Sequence, residues 1–177
     1  MALISVCLFV CFSDKLPRIL CWVLTDPKQL DKRAVHVRDT WARHCDLALF
    51  MSSETNTTFP TIGLNVKAGR NHLAPKSKQA WIYVYEHYLN DFEYFVKADD
   101  DTFIIVENLR RYMANRNPEE PEFFGHRMYL SLFGRKIIYN SGGPGQVLSR
   151  KALKLMVEKS MLNSRRNCMP DGQGRVC

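Results

Sequence analysis

Residues 92–98, FEYFVKA, form an apolar run of strand length with almost no polar face. A strand with one wet face would alternate; a run that does not is read as buried on both faces, at the centre of a parallel sheet. Directly behind it stand Asp99, Asp100 and Asp101, with no basic residue among them. Adjacent like charges repel, and more strongly at the edge of a low-dielectric core. A fold retains such a cluster when something positive comes to it.

The flanking sequence supplies what a buried parallel strand requires. Residues 18–25 (RILCWVLT) read as a second buried strand, and Pro27 sits where a helix can begin. From residue 28 to 44, Leu30, Ala34, Val37 and Trp41 recur at helical spacing on one face. Strands are predicted at 46–52 and 63–67, and a helix at 75–89. The stripe of Ala80, Trp81, Val84, Tyr85 and Tyr88 on that helix reads as core. Beyond the acidic cluster the pattern predicts a helix at 106–116 and short strands at 123–128 and 136–140. A last helix at 149–159 has Ser149 as N-cap. Alternating strands and helices predict an α/β sandwich with a mostly parallel central sheet. Ligands of such sheets bind beyond the carboxyl ends of the strands. Residues 99–101 lie at one such end, and Thr25 and Asp26 at another.

At 177 residues, 46% of them hydrophobic, the chain fits one domain with a real core, taken as residues 16–177. Residues 1–15 form a short hydrophobic N-terminus. Its apolar stretch is too short for a span of ~20 residues and suits part of a signal or anchor. The net charge of +7 does not point to nucleic acid, because the basic residues are scattered and no recognition motif accompanies them. Six cysteines show no zinc-ligand spacing. A Cys21–Cys45 bridge would staple a βα unit and Cys168–Cys177 would close a small loop, with buried free thiols as the other option. Asn56 begins an Asn-Thr-Thr sequon, an acceptor for glycan in a secreted chain.

In extended geometry Asp99 and Asp101 project to one side and Asp100 to the other. Two convergent carboxylates suit a hard divalent cation, and so few ligands make an open site completed by water and substrate phosphates. Such a cation would neutralise a leaving diphosphate. SGGPG, residues 141–145, allows close backbone approach or a tight turn before the last helix. HVRDTWARHC, residues 36–45, offers His36, Arg38 and Arg43 on a helix.

Taken together, RILCWVLT, HVRDTWARHC, LFMSSE, WIYVYEHYLNDFEYFVKADDDTF, NPEEPEFFGHR and YNSGGPGQVLSRKAL resemble the Fringe-like β1,3-glycosyltransferases over roughly residues 16–159. The resemblance implies a GT-A-like, Rossmann-like fold, incomplete at the C-terminus. It further implies Mn²⁺-dependent, inverting transfer of galactose from UDP-galactose to GalNAc on Ser or Thr of glycoproteins. Asp99 and Asp101 would serve the metal, and Asp99 and Asp100 the ribose and metal-bound water. Thr25, Arg38, Thr40 and Trp41 would shape the nucleotide pocket, and Ser141, Gly142 and Gly143 the donor and acceptor side. Cys21–Cys45 would be a family disulfide. The resemblance also implies a type II Golgi membrane protein with a lumenal domain, and is compatible with a homodimer.

Three departures qualify those expectations. The family places an acidic segment with the catalytic base between two cysteines, where this chain reads CMPDGQGRVC with Asp171 as its only acid. A later metal-binding His has no counterpart, and Pro144 replaces a small residue. The catalytic base is therefore unassigned, and a truncated chain of doubtful activity is the expectation. Alternatives are a non-catalytic family member acting as chaperone or binding partner, and a fringe-type β1,3-N-acetylglucosaminyltransferase.

Overall fold

The computed structural model describes residues 16–132 and 134–162. The hydrophobic N-terminus, Cys168, Asp171 and Cys177 lie outside the described residues. Six strands form one sheet: β1 (Ile19–Leu24), β2 (Leu47–Ser52), β3 (Thr61–Gly63), β4 (Tyr94–Asp99), β5 (Phe123–Leu132) and β6 (Arg135–Ser149). Their order is β3-β2-β1-β4-β6-β5, with β3, β2, β1 and β4 parallel and β6 and β5 antiparallel. Helices α1 (Val35–Asp39), α2 (Leu73–Tyr88), α3 (Val106–Met113) and α4 (Arg150–Met156) cover it. This is the GT-A-like α/β sandwich expected from the sequence.

Every residue of β1 is buried because its two faces meet two different helical layers. Ile19, Cys21 and Val23 pack with Tyr94, Val96 and Ala98 against Ala34, Val37, Trp41, Val106 and Met113. Leu20, Trp22 and Leu24 pack with Phe95 against Ala80, Trp81, Val84, Leu153 and Val157. Trp22 and Trp81 meet edge to face with ring centroids 5.0 Å apart. The disulfide joins Cys21 to Cys45, Cα atoms 6.1 Å apart, and ties β1 to the turn leading into β2.

Three local expectations change. The helix predicted for 28–44 is segmented into a tight turn (Pro27–Gln29), a wide turn (Leu30–Ala34), α1 and a second tight turn (Ala42–His44). Asp26 caps the start by accepting from the Lys28 amide at 3.2 Å. Thr40 leaves helical geometry at φ −112°, ψ −102° while its hydroxyl bonds back to the His36 carbonyl. The apolar stripe survives the segmentation, with Leu30, Ala34, Val37 and Trp41 all buried. The third strand lies at Thr61–Gly63 rather than 63–67, and the Thr61 hydroxyl donates to the Glu54 carbonyl at 2.8 Å to fix it. Finally, the two short strands after the acidic cluster are one long hairpin, and SGGPG lies inside β6. The Ser149 cap is found as expected, accepting from the Ala152 amide at 3.1 Å.

Candidate active site

Parallel pairing of β1 with β4 sets Leu24 opposite Asp99, so the next residues, Thr25 and Asp100, leave the sheet side by side. The Thr25 hydroxyl donates to Asp100 Oδ2 at 2.8 Å. β4 ends at Asp99, and the Thr102 amide donates to the Asp99 carbonyl at 3.1 Å, closing a turn. The alternation that would place Asp99 and Asp101 on one side therefore stops at Asp99. Asp99 instead meets Lys97, whose Nζ lies 3.0 Å from its Oδ1. Asp100 and Asp101 share Arg33, whose Nη1 is 3.6 Å from Asp100 Oδ1 and 3.2 Å from Asp101 Oδ2. Burial raises the Asp100 carboxyl above the usual aspartate range. The Thr25 hydroxyl and Arg33 pull it back down, and the Asp101 charge pushes it up.

Thr25, Asp26, Arg33, Arg70, Lys76 and the three aspartates line one cleft of about 340 Å³. A neighbouring cavity of about 330 Å³ is lined by His36, Thr40, Trp41, Phe103, Asp100 and Asp101. Trp41 is positioned by its indole N–H, which donates to the Thr102 carbonyl at 2.8 Å across the turn. Of the sequence candidates, Thr25, Thr40, Trp41, Asp99, Asp100 and Asp101 thus gather around the end of β4. Arg38 faces elsewhere, bonded to Asp39 at 2.6 Å and stacked 5.1 Å from the Phe59 ring centroid. Asn56 is exposed on the 53–60 loop, with its side-chain carbonyl accepting from the Thr58 and Phe59 amides.

Gly142 and Gly143 reach the same place by a break in register. Gly125 pairs with Gln146 but His126 with Ser141, so residues 142–145 stand out of the ladder over the end of β4. The Gly142 carbonyl accepts from Lys97 Nζ at 3.0 Å, and the Gly143 carbonyl from the Thr102 hydroxyl at 2.6 Å. A Cβ on Gly142 would lie 2.9 Å from Lys97 Nζ. Gly145 has φ +107°, in the region that favours glycine. The glycines serve both close approach and an unusual backbone.

Sequence reasoning missed Arg33, Lys76 and Lys97. Lys97 was hidden inside an apolar strand, and Lys76 lies one turn before the helix stripe read as core. Arg33 precedes the buried Val37 by one turn, a signal that it points toward the strand ends.

Among the described residues no three His, Cys, Asp or Glu side chains converge to hold a metal by themselves. The cleft nevertheless carries several carboxylate oxygens, the ligand type a hard divalent cation prefers. Each carboxylate of the trio faces a cationic side chain, which offsets the repulsion among them. The donor set fits an open site completed by water and a diphosphate.

A six-stranded, mostly parallel sheet with an acidic trio closing its central strand defines a GT-A-like domain. The sequence profile described as Fringe-like matches residues 15–173, and the chain belongs to that family. The chain is 46% identical over 145 residues to glycoprotein-N-acetylgalactosamine 3-beta-galactosyltransferase 1 of Xenopus laevis, covering 82% of this chain and 39% of that one. It is 32% identical over 150 residues to chondroitin sulfate synthase 3 of Homo sapiens, 76% of this chain and 17% of the relative. Identity to beta-1,3-glucosyltransferase of Mus musculus is 30% over 125 residues, 70% and 25% of the two chains. The chain thus spans well under half the length of these relatives.

Proposed function

We propose that this chain carries the donor-binding part of an inverting β1,3-galactosyltransferase of the core 1 type. It would take UDP-galactose with Mn²⁺ and serve GalNAc on Ser or Thr of a glycoprotein. The observation that carries the reading is the convergence of Thr25, Asp99, Asp100 and Asp101 on one cleft at the carboxyl ends of adjacent parallel strands. The likeness to the Xenopus laevis galactosyltransferase supports the choice of sugar and acceptor.

Asp99 and Asp101 would hold the cation, and Asp100, anchored by Thr25, would face the ribose and metal-bound water. Bound there, a divalent ion supplies charge neutralisation for a leaving diphosphate. Lys97 fixes Asp99, and the Gly142–Gly143 bulge, which passes close to both, would flank the donor sugar. The acceptor hydroxyl must lose a proton as it attacks, and a positioned base contributes typically about 10²–10⁴-fold. That base is unassigned among the described residues. A Golgi location with a type II anchor and a homodimer belong to the same proposal. Among the described residues no helix is long and apolar enough to cross a membrane.

Calorimetry of UDP with and without Mn²⁺ tests the cleft, and transfer from radiolabelled UDP-galactose to a GalNAc-Thr peptide tests the reaction. Metal-dependent UDP binding is the expected result; its absence would overturn the donor-site assignment.

A further inference from the structure

Among the described residues, the carboxylates of the cleft pair with three cations, Arg33, Lys76 and Lys97, and these differ in freedom. Lys97 and Lys76 have side chains 6% and 2% exposed, and Lys97 is further held by the Gly142 carbonyl. Arg33 is 50% exposed, and so is most of its partner Asp101, at 62%. An exposed ion pair contributes little and exchanges readily with solvent ions. One guanidinium nevertheless spans two adjacent carboxylates that would otherwise repel.

Resting on the donor-site reading above, we propose that Arg33 is an exchange cation. It holds Asp100 and Asp101 while no divalent ion is present and turns to the diphosphate when metal and nucleotide enter. The planar guanidinium suits both tasks, because its donors match carboxylate and phosphate oxygens alike. The motion is confined to the side chain. Arg33 lies in the wide turn Leu30–Ala34, whose neighbours Leu30, Ala34 and Val37 are buried and fix the backbone. Arg33 lines the same cleft as all three aspartates, so the diphosphate of a nucleotide bound there comes within its reach. Arg33 therefore opposes a bare cation and favours a cation accompanied by diphosphate. The two effects have opposite signs.

The test uses the whole 177-residue chain with Arg33→Met and Arg33→Lys. Electron paramagnetic resonance measures Mn²⁺ affinity alone, and calorimetry measures UDP affinity at saturating Mn²⁺. Circular dichroism and the urea midpoint confirm that these surface variants fold. Arg33→Met is expected to bind Mn²⁺ alone about two- to fivefold more tightly, the scale of an exposed ion pair. It is expected to bind UDP with Mn²⁺ about tenfold more weakly, the scale of one lost charge-assisted contact. Arg33→Lys should fall between. Unchanged or weaker Mn²⁺ binding by Arg33→Met, or unchanged UDP affinity, overturns the exchange role while Mn²⁺-dependent UDP binding by the wild type leaves the donor-site reading standing. Failure of the wild type and of Arg33→Met to bind Mn²⁺ sinks both.

Discussion

The Thr25 hydroxyl and the Asp100 carboxylate, 75 residues apart in sequence, meet at 2.8 Å where β1 and β4 end. One hydrogen bond thus locks two neighbouring parallel strands at the rim of the cleft and aims the middle carboxylate of the trio. Thr25 is itself buried, with its amide donating to the Met51 carbonyl at 2.9 Å, so three strand ends share one anchor.

Thr25→Val keeps the shape and removes the donor. The expected cost is about 1–2 kcal/mol by urea unfolding. Because the hydroxyl lowers the Asp100 pKa, its loss should move that carboxyl further up, measurable by carbon-detected NMR titration.

The raised Asp100 carboxyl also carries a pH signature. Its folded state holds a proton more tightly than the unfolded chain, so its contribution to stability is fully present below the ordinary value of 3.8. That contribution is lost as pH rises through the higher folded value. Asp100→Asn should abolish this component of the stability–pH curve just above 3.8. An unaltered slope in that window would remove the assignment.

Lys97→Met should be among the more damaging single changes at the site. It leaves Asp99 without its ammonium partner and the Gly142 carbonyl without a donor, in a place where the lysine side chain is only 6% exposed. Breaking a buried pair from one side costs about 3 kcal/mol. A shift in the urea midpoint corresponding to less than about 1 kcal/mol would place the charge in solvent instead.

The glycine bulge makes a graded prediction. Gly145→Ala forces a side chain onto φ +107° and should cost about 1–2 kcal/mol. Gly142→Ala meets most closely the far end of the Lys97 side chain rather than backbone, so its stability cost should be smaller. Its effect should appear in Mn²⁺-dependent UDP affinity, because the displaced ammonium no longer orients Asp99.

Replacing Cys21 and Cys45 by alanine opens a loop with a sequence separation of 24. The chain-entropy relation gives a loss of about 3 kcal/mol, or roughly 10 °C in Tm for a domain of this size. Differential scanning fluorimetry with and without reductant on the wild type should show the same direction.

The architecture was legible because burial on two faces leaves an unmistakable pattern. The runs at 18–25 and 92–98 lack a polar face, and the structure places them as adjacent central strands. The stripe of Leu30, Ala34, Val37 and Trp41 identified the helical layer even though the helix itself is segmented. Less legible were the elements whose geometry depends on distant partners. SGGPG reads equally as a close-approach segment or a tight turn, and its place inside a strand emerges only when Gln146 pairs with Lys97 on one side and Gly125 on the other.

Sequence by itself determined the order of strands and helices, the family, and the position of the aspartate trio at a strand end. These follow from local apolar periodicity and from motifs contiguous in the chain. Only the tertiary structure decided how the trio is divided, with Asp99 given to Lys97 and Asp100 and Asp101 to Arg33. The reason is physical: β4 turns after Asp99, so side-chain direction there is set by cations arriving from a neighbouring helical turn and from the strand itself. No periodicity along the chain encodes those meetings.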